Sequence, residues 1–183
     1  PAYDMKVKVD DGYFKYPDLA LPAEDIHLDL HVYSLDGNTD RTVVDIPRMH
    51  FKMANDPFDL KLTMQDLSGN MLIDADAKGK IDLTNLTKIV PLPDTELSGT
   101  ITTDLQIAGR VKDISASAID KFKANGTLVA QNIHYTSADM NEALDVKTAE
   151  LLVQNQRLNI PIFEGKVGKN DINFSGLFNN FFG

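Results

Sequence analysis

Four side chains that can bind a metal ion or transfer a proton occupy every second position of one short segment. They are Asp25, His27, Asp29 and His31. If the segment is a β-strand, all four project from one face, because alternate strand residues lie on the same side. Carboxylates and imidazoles are ligands of divalent cations such as zinc. The pattern is also typical of a solvated sheet face. The sequence favours that second interpretation, so we predict no metal site and no cofactor.

A second acidic segment resembles the start of a calcium-binding loop. Asp74, Asp76 and Gly79 occupy positions one, three and six of such a loop. The loop also requires an oxygen ligand at position five and a bidentate Glu at position twelve. Those positions hold Lys78 and Asn85. We therefore do not expect calcium to bind here.

No arrangement typical of a catalytic site is present in the sequence. There is no nucleophile elbow and no Gly-rich loop before a helix. The absence of cysteine excludes disulfides, thiolate nucleophiles and Cys-ligated metals. The net charge of −9 argues against nucleic-acid binding, which needs clustered Lys and Arg. We expect a protein that is not an enzyme and does not bind nucleic acid.

The elements that must position these residues are mainly strands, because apolar and polar residues alternate along most of the chain. The clearest hairpin runs from Val44 to Leu62 and breaks at residues 54–57. Nine apolar residues are predicted to share one face and to contact an apolar ligand: Ile26, Leu28, Leu30, Met49, Phe51, Met53, Phe58, Leu60 and Leu62. Five polar residues are predicted to point outward to water: Asp29, His31, Lys52, Asp59 and Lys61.

Two short segments, near 83–90 and 113–123, have the three-and-four spacing of helices instead. Asn125-Gly126 is predicted to end the second helix, and Asp11-Gly12 is predicted to form a hairpin turn. The fold class that follows is mainly β: a curved, mostly antiparallel sheet of about nine or ten strands, of the β-groove type, with two short helices.

The hairpin pattern recurs near the C-terminus at a constant offset of 114 residues. Asp45-Ile46-Pro47 is matched by Asn159-Ile160-Pro161, and Lys52 by Lys166. The predicted repeat covers 5–64 and 119–178, joined by a strand-helix-strand-helix segment over 72–123. Leu30 and Val32 would then match Leu144 and Val146.

Length and composition suit one globular domain over residues 1–183, with 43% hydrophobic and 25% charged residues. No apolar run approaches the roughly 18–20 residues that a membrane-spanning helix needs. The chain starts at Pro1 rather than Met. We therefore expect a fragment of a longer protein, with any anchor outside it.

Three segments of this sequence resemble the AsmA family, which includes TamB-like and YhdP-like proteins of Gram-negative bacteria. They are the Ile-Pro-x-x-x-x-Lys hairpin at Ile46–Lys52, the strand-to-helix step at Lys78–Leu83, and Leu97–Leu105, which follows a Pro-Leu-Pro break at 91–93. The resemblance spans most of the chain.

The resemblance implies a periplasmic protein held at the inner membrane by an N-terminal helix. AsmA-like proteins consist of repeating β-groove units with an apolar inner face, and they resemble the bridge-like lipid-transfer proteins of eukaryotes. The family is implicated in phospholipid transport and outer-membrane biogenesis. The expected partners are phospholipid or another apolar ligand and further repeats of the same chain.

Two other functions are compatible with the same strand pattern. One is a structural or adhesive β-sandwich that mediates interactions and buries its apolar faces. The other is a small β-barrel that carries one lipid. A groove leaves large apolar side chains on an accessible surface, whereas a sandwich hides them.

Overall fold

The computed structural model describes residues 1–15, 22–53, 56–67, 70–89, 92, 94–115, 122–138, 140–154 and 157–179. The strands are β1 (Tyr3–Phe14), β2 (Ala23–Ser34), β3 (Val43–Met53), β4 (Asp56–Gln65), β5 (Leu72–Asp82), β6 (Thr95–Arg110), β7 (Lys123–Ser137), β8 (Leu144–Gln154), β9 (Arg157–Val167) and β10 (Asn170–Asn179). The helices are α1 (Leu83–Ile89) and α2 (Val111–Ser115), and a 3₁₀ turn covers Thr39–Arg41.

All ten described strands belong to one antiparallel sheet, in which each strand pairs with its neighbours in the chain. β1 and β10 are the two edges, so the sheet is open. The prediction of a mainly antiparallel β fold with about ten strands and two short helices is confirmed. The described strands do not form the two facing sheets of a sandwich. The predicted curvature of the whole sheet stays a prediction.

Helix α1 begins where strand β5 ends. The Asp82 carboxylate accepts hydrogen bonds from the backbone N–H groups of Thr84 and Asn85, at 2.9 and 3.3 Å. This is an N-cap, which satisfies N–H groups that the first helical turn leaves free. The helix matches its predicted position. Helix α2 begins two residues before its prediction, and most of the predicted segment 113–123 lies outside the described residues.

Two predicted chain breaks are wrong, because each lies inside a strand. Asp11-Gly12 belongs to β1, where Asp11 has a φ of 55° and the pairing with β2 shifts register. This is a β-bulge, which absorbs the left-handed residue while the strand continues. Asn125-Gly126 belongs to β7, where Gly126 pairs with Leu105 and has a φ of 130°.

The turn predicted at 54–57 is wrong for its last two residues. Asp56 and Pro57 are already part of β4 and pair with Met53 and Lys52. Residues 54–55 lie outside the described residues. Proline cannot donate to the sheet, but at the first positions of a strand this costs little.

Two hairpins of the sheet have identical bounds and register at the offset of 114. β3 and β4 span 43–53 and 56–65, and β9 and β10 span 157–167 and 170–179. Phe51 pairs with Phe58 as Gly165 pairs with Ile172. Both hairpins also shift register at their proline, because Pro47 and Pro161 lie in equivalent bulges. A bulge accommodates a proline within an interior strand.

The strand before each hairpin does not keep this offset. Leu30 lies in the middle of β2, whereas Leu144 is the first residue of β8. Eight residues separate β2 from β3, but only two separate β8 from β9. The sequence match of Leu30 with Leu144 therefore does not correspond to equivalent places in the two strands.

Candidate functional site

One face of the sheet is apolar from edge to edge. Its longest row runs through directly paired residues on all ten strands: Val9, Leu28, Met49, Leu60, Ala77, Leu105, Gly126, Val153, Leu158 and Phe178. Paired residues of antiparallel strands project on the same side. Nine strand spacings of about 4.8 Å make this row roughly 43 Å long.

The nine predicted ligand-facing residues all lie on this apolar face. Leu28, Met49 and Leu60 belong to its longest row, and Phe51 pairs with Phe58 in the neighbouring row. Their contact with a lipid stays a prediction.

The five residues predicted to point to water occupy the opposite, polar face. Asp29 pairs with Arg48, Asp59 with Lys78, and Lys61 with Asp76.

Only a small part of the apolar face is packed into a core. Ala23, Phe51 and Met53 are buried together, with Ile26, Met49, Phe58 and Ile81 packed against them. Most other described residues of this face are only half-buried. The accessible surface of the chain is 11308 Å². A compact protein of this mass exposes about 8,800 Å². The excess is what a single open sheet exposes.

The edge strands carry the most exposed part of the apolar face. Met5 and Val7 on β1 are 51% and 38% exposed, and Phe174 and Phe178 on β10 are 43% and 42% exposed. Each edge strand pairs with a neighbour on one side only, so its other side is uncovered.

The opposite face carries ion pairs that link adjacent strands. Lys78 on β5 lies 2.7 Å from Asp104 on β6, and Lys147 on β8 lies 2.7 Å from Glu164 on β9. The pKa values of both lysines are raised by these hydrogen bonds. Exposed pairs of this kind contribute little to stability, because water and salt screen them. They mark this face as the solvated side of the sheet.

Four strands meet on the polar face in a cluster of histidine and aspartate, which we call the His27 cluster: Asp10 and Asp11 on β1, Asp25 and His27 on β2, His50 on β3 and Asp59 on β4. His27 Nε2 lies 3.0 Å from Asp25 Oδ1 and 3.5 Å from Asp11 Oδ1. His50 Nδ1 lies 2.7 Å from Asp59 Oδ1. The His27 side chain is only 15% exposed.

Within this cluster, hydrogen bonds hold the pKa of Asp25 well below its ordinary value. The Lys52 ammonium donates to Asp25 Oδ2 at 2.6 Å, and this hydrogen bond, followed by that of His27, lowers the pKa of Asp25 to about 2. The backbone of Asp25 has a φ of 53°, at a register shift between β2 and β3. The bulge therefore helps to aim its carboxylate between His27 and Lys52.

The structure brings together only two of the four residues whose spacing first suggested chemistry. Asp25 and His27 are in contact, whereas His31 lies 3.0 Å from Asp4 on β1. The sequence does not predict Asp11 as a neighbour of His27, because the Asp11-Gly12 pair is typical of a turn. No local pattern indicates this contact, because the alternation that ends at Val9 changes phase at the bulge, where Gly12 pairs with Ile26.

Apart from the His27 cluster, the polar face has a depression with a volume of about 660 Å³, which lies over β7 to β10. His134 Nδ1 lies within it, 2.6 Å from Asp145 Oδ1. The hydrogen bond from His134 lowers the pKa of Asp145, with a smaller contribution from Lys166. The depression is wide and lined by charged side chains, so it suits water and ions rather than an apolar ligand.

Comparison with known proteins adds no relative. No protein-family model matches the chain, and no curated protein or solved structure matches it at a significant level. None of the described helices has the length and apolar character needed to cross a membrane.

Proposed function

We propose that this chain is a non-enzymatic periplasmic segment of an AsmA-like protein, and that its apolar sheet face binds the acyl chains of phospholipids. In this role it supports phospholipid transport between the inner and outer membranes. The observation that carries the proposal is the apolar row that runs through paired residues on all ten strands. The sequence resemblance supplies the compartment, the inner-membrane anchor outside this chain and the lipid class.

The energetics of the apolar face favour such a ligand. Each CH₂ group of an acyl chain gains about 0.8 kcal/mol when it leaves water for an apolar surface. An acyl chain laid along half-buried residues such as Leu28, Leu60 and Leu105 covers side chains that the protein itself leaves accessible. The row of about 43 Å is longer than one acyl chain, so it can guide a lipid across several strands.

The two open edges of the sheet support one of the proposed partners, namely further repeats of the same chain. β1 and β10 each have one flank without a neighbouring strand among the described residues. An unpaired strand edge presents N–H and C=O groups that another strand can pair with. Further repeats of the same chain would extend the sheet at these edges and lengthen the apolar row.

A charge placed on the apolar face tests the proposal. Vesicles that contain a photo-crosslinkable phospholipid are incubated with the wild-type chain and with Leu60→Asp. We expect the wild type to capture lipid, with crosslinks on apolar-face residues such as Leu60 and Leu105. Leu60→Asp should reduce the capture several-fold, because an unpaired carboxylate near an acyl chain costs more than several methylenes gain.

The matched control is Thr102→Asp, which places the same carboxylate on the polar face opposite Lys80. It should capture lipid like the wild type. Thermal melting of each variant separates lost binding from lost folding. If Leu60→Asp does not fold, Phe174→Asp on the exposed edge strand replaces it. A folded apolar-face variant with unchanged capture, or crosslinks confined to the polar face, contradicts the proposal and favours an interaction module.

A further inference from the structure

The His27 cluster lies on the face opposite the proposed lipid surface, so the function proposed above does not involve it. Its residues come from four strands, β1 to β4. Asp11 is on β1 and is strongly exposed. Asp25 and His27 are on β2, and their side chains are less exposed than that of Asp11. The cluster is therefore open to solvent on one side and closed by the sheet on the other.

The ligand atoms of three residues have the separations of a metal site. One ligand atom from each of Asp11, Asp25 and His27 lies within 4.8 Å of the other two. Ligand atoms at about 2.0–2.2 Å from a tetrahedral zinc ion are about 3.3–3.6 Å apart. His27 Nε2 lies 3.0 Å from Asp25 Oδ1 and 3.5 Å from Asp11 Oδ1. Both distances are close to an edge of such a tetrahedron.

The other ring nitrogen of His27 supplies an independent observation. His27 Nδ1 is buried and has no hydrogen-bond partner. Asp10 Oδ1 lies 3.8 Å away, just beyond hydrogen-bond distance. When a metal ion binds Nε2, the proton must be on Nδ1, and ligating histidines donate that proton to a carboxylate or carbonyl. A small approach of Asp10 would give His27 this partner.

The second oxygen of Asp25 is held in place by other groups. Lys52 Nζ lies 2.6 Å from Asp25 Oδ2, and His50 Nε2 lies 3.5 Å from the same oxygen. These contacts orient the carboxylate and leave Oδ1 directed to His27. A dication beside two carboxylates and a neutral imidazole also gives a neutral site, so Lys52 is not repelled by excess positive charge.

We propose that Asp11, Asp25 and His27 bind a divalent transition-metal ion of the zinc class, with water as the fourth ligand. The imidazole selects zinc-class ions over calcium and magnesium, which prefer oxygen ligands. The prediction of no metal site rested on the alternation of β2 alone. The bulge in β1 adds the ligand that this pattern lacked.

Zinc titration by isothermal calorimetry tests the site. The chain in chelator-free buffer should bind one zinc ion. Loss of an outer-shell partner costs 10–100-fold in affinity, so loss of a direct ligand should cost at least about tenfold. We expect that loss for His27→Gln and Asp25→Asn. Asparagine tolerates a positive φ, so Asp25→Asn preserves the backbone. The matched control is His31→Gln, on the same strand and face, which should bind zinc like the wild type.

Two measurements on the wild type make the result independent of how the variants fold. Cobalt should give the intense visible absorption of a tetrahedral site. Zinc should shift the NMR signals of the His27 ring and leave those of His31 unchanged. Equal zinc affinity of His27→Gln and the wild type overturns the proposal, as do zinc shifts at His31 instead of His27 or the absence of binding heat.

Discussion

The hairpin β3–β4 inside the sheet and the hairpin β9–β10 at its edge have the same bounds, the same register and a proline in the same bulge. They differ in what surrounds them. β4 pairs with β3 and β5, whereas β10 pairs with β9 alone. On β10, Ile172 and Phe174 are 37% and 43% exposed, while their counterparts Phe58 and Leu60 are half-buried.

The buried residues of the two hairpins also lie at opposite ends. β3 buries Phe51 and Met53 next to the turn, where they contact Ala23. β9 buries Leu158 and Ile160 at its start. Opposite Ile160, the ring of Phe178 occupies the space beside Gly176. Register is therefore set within a hairpin, whereas burial is set by the strands around it.

The largest difference between the hairpins is expected from removing one aromatic ring in each. Phe51→Ala should lower the free energy of unfolding by about 3–5 kcal/mol, because Phe51 is buried and its loss leaves a cavity. Phe174→Ala should cost less than about 2 kcal/mol, because the ring is already 43% exposed. Urea denaturation followed by circular dichroism measures both losses. Equal losses would show that another surface covers β10 in solution.

A smaller effect tests whether the two bulges are equivalent. Pro47→Ala and Pro161→Ala should each lower the free energy of unfolding by about 0.4–1 kcal/mol, because alanine gives the unfolded chain more conformations. The two losses should agree within about 0.5 kcal/mol, since the pairing around both prolines is the same. The same urea experiment applies, and losses of opposite sign would refute the equivalence.

The smallest effect concerns the equivalent lysines, each of which contacts an aspartate on the preceding strand. Lys52 lies 2.6 Å from Asp25, but Lys166 lies 3.7 Å from Asp145, whose pKa is lowered mainly by His134. In a carboxyl titration followed by NMR, His134→Gln should therefore raise the pKa of Asp145 more than Lys166→Gln does. The reverse order would contradict this assignment of causes.

The lowered pKa of Asp145 also fixes the sign of its effect on stability. An unfolded aspartate titrates near 3.9. The stabilisation from Asp145 is complete above that pH and is lost as the pH falls through the lower pKa of the folded state. The loss should be smaller in His134→Gln, and urea midpoints measured from pH 6 downward give the comparison.

Alternation predicted most of the sheet, because a strand with one buried face must repeat every two residues. The hairpin predicted from Val44 to Leu62 corresponds to β3 and β4 of the structure, to within one residue at its start and three at its end. The separation of Leu60 from Asp59 and Lys61 onto opposite faces followed from the same rule.

Other features depend on contacts between strands and could not be predicted from local patterns. Asp-Gly and Asn-Gly usually mark turns, but here the neighbouring strands continue the pairing through Asp11 and Gly126. The approach of Asp11 to His27 depends on that pairing. The burial of Phe51 depends on Ala23, which lies 28 residues earlier in the chain.

The pairing of each strand with its chain neighbours alone has a consequence for how the protein folds. Every new strand can join the sheet by closing a loop to the strand made just before it, at a small entropic cost. Contacts of low sequence separation favour rapid folding. The sheet can therefore form in chain order from β1 to β10 as the polypeptide emerges. Throughout that process its growing edge, with exposed apolar residues like those of β10, is the part most in need of protection from aggregation.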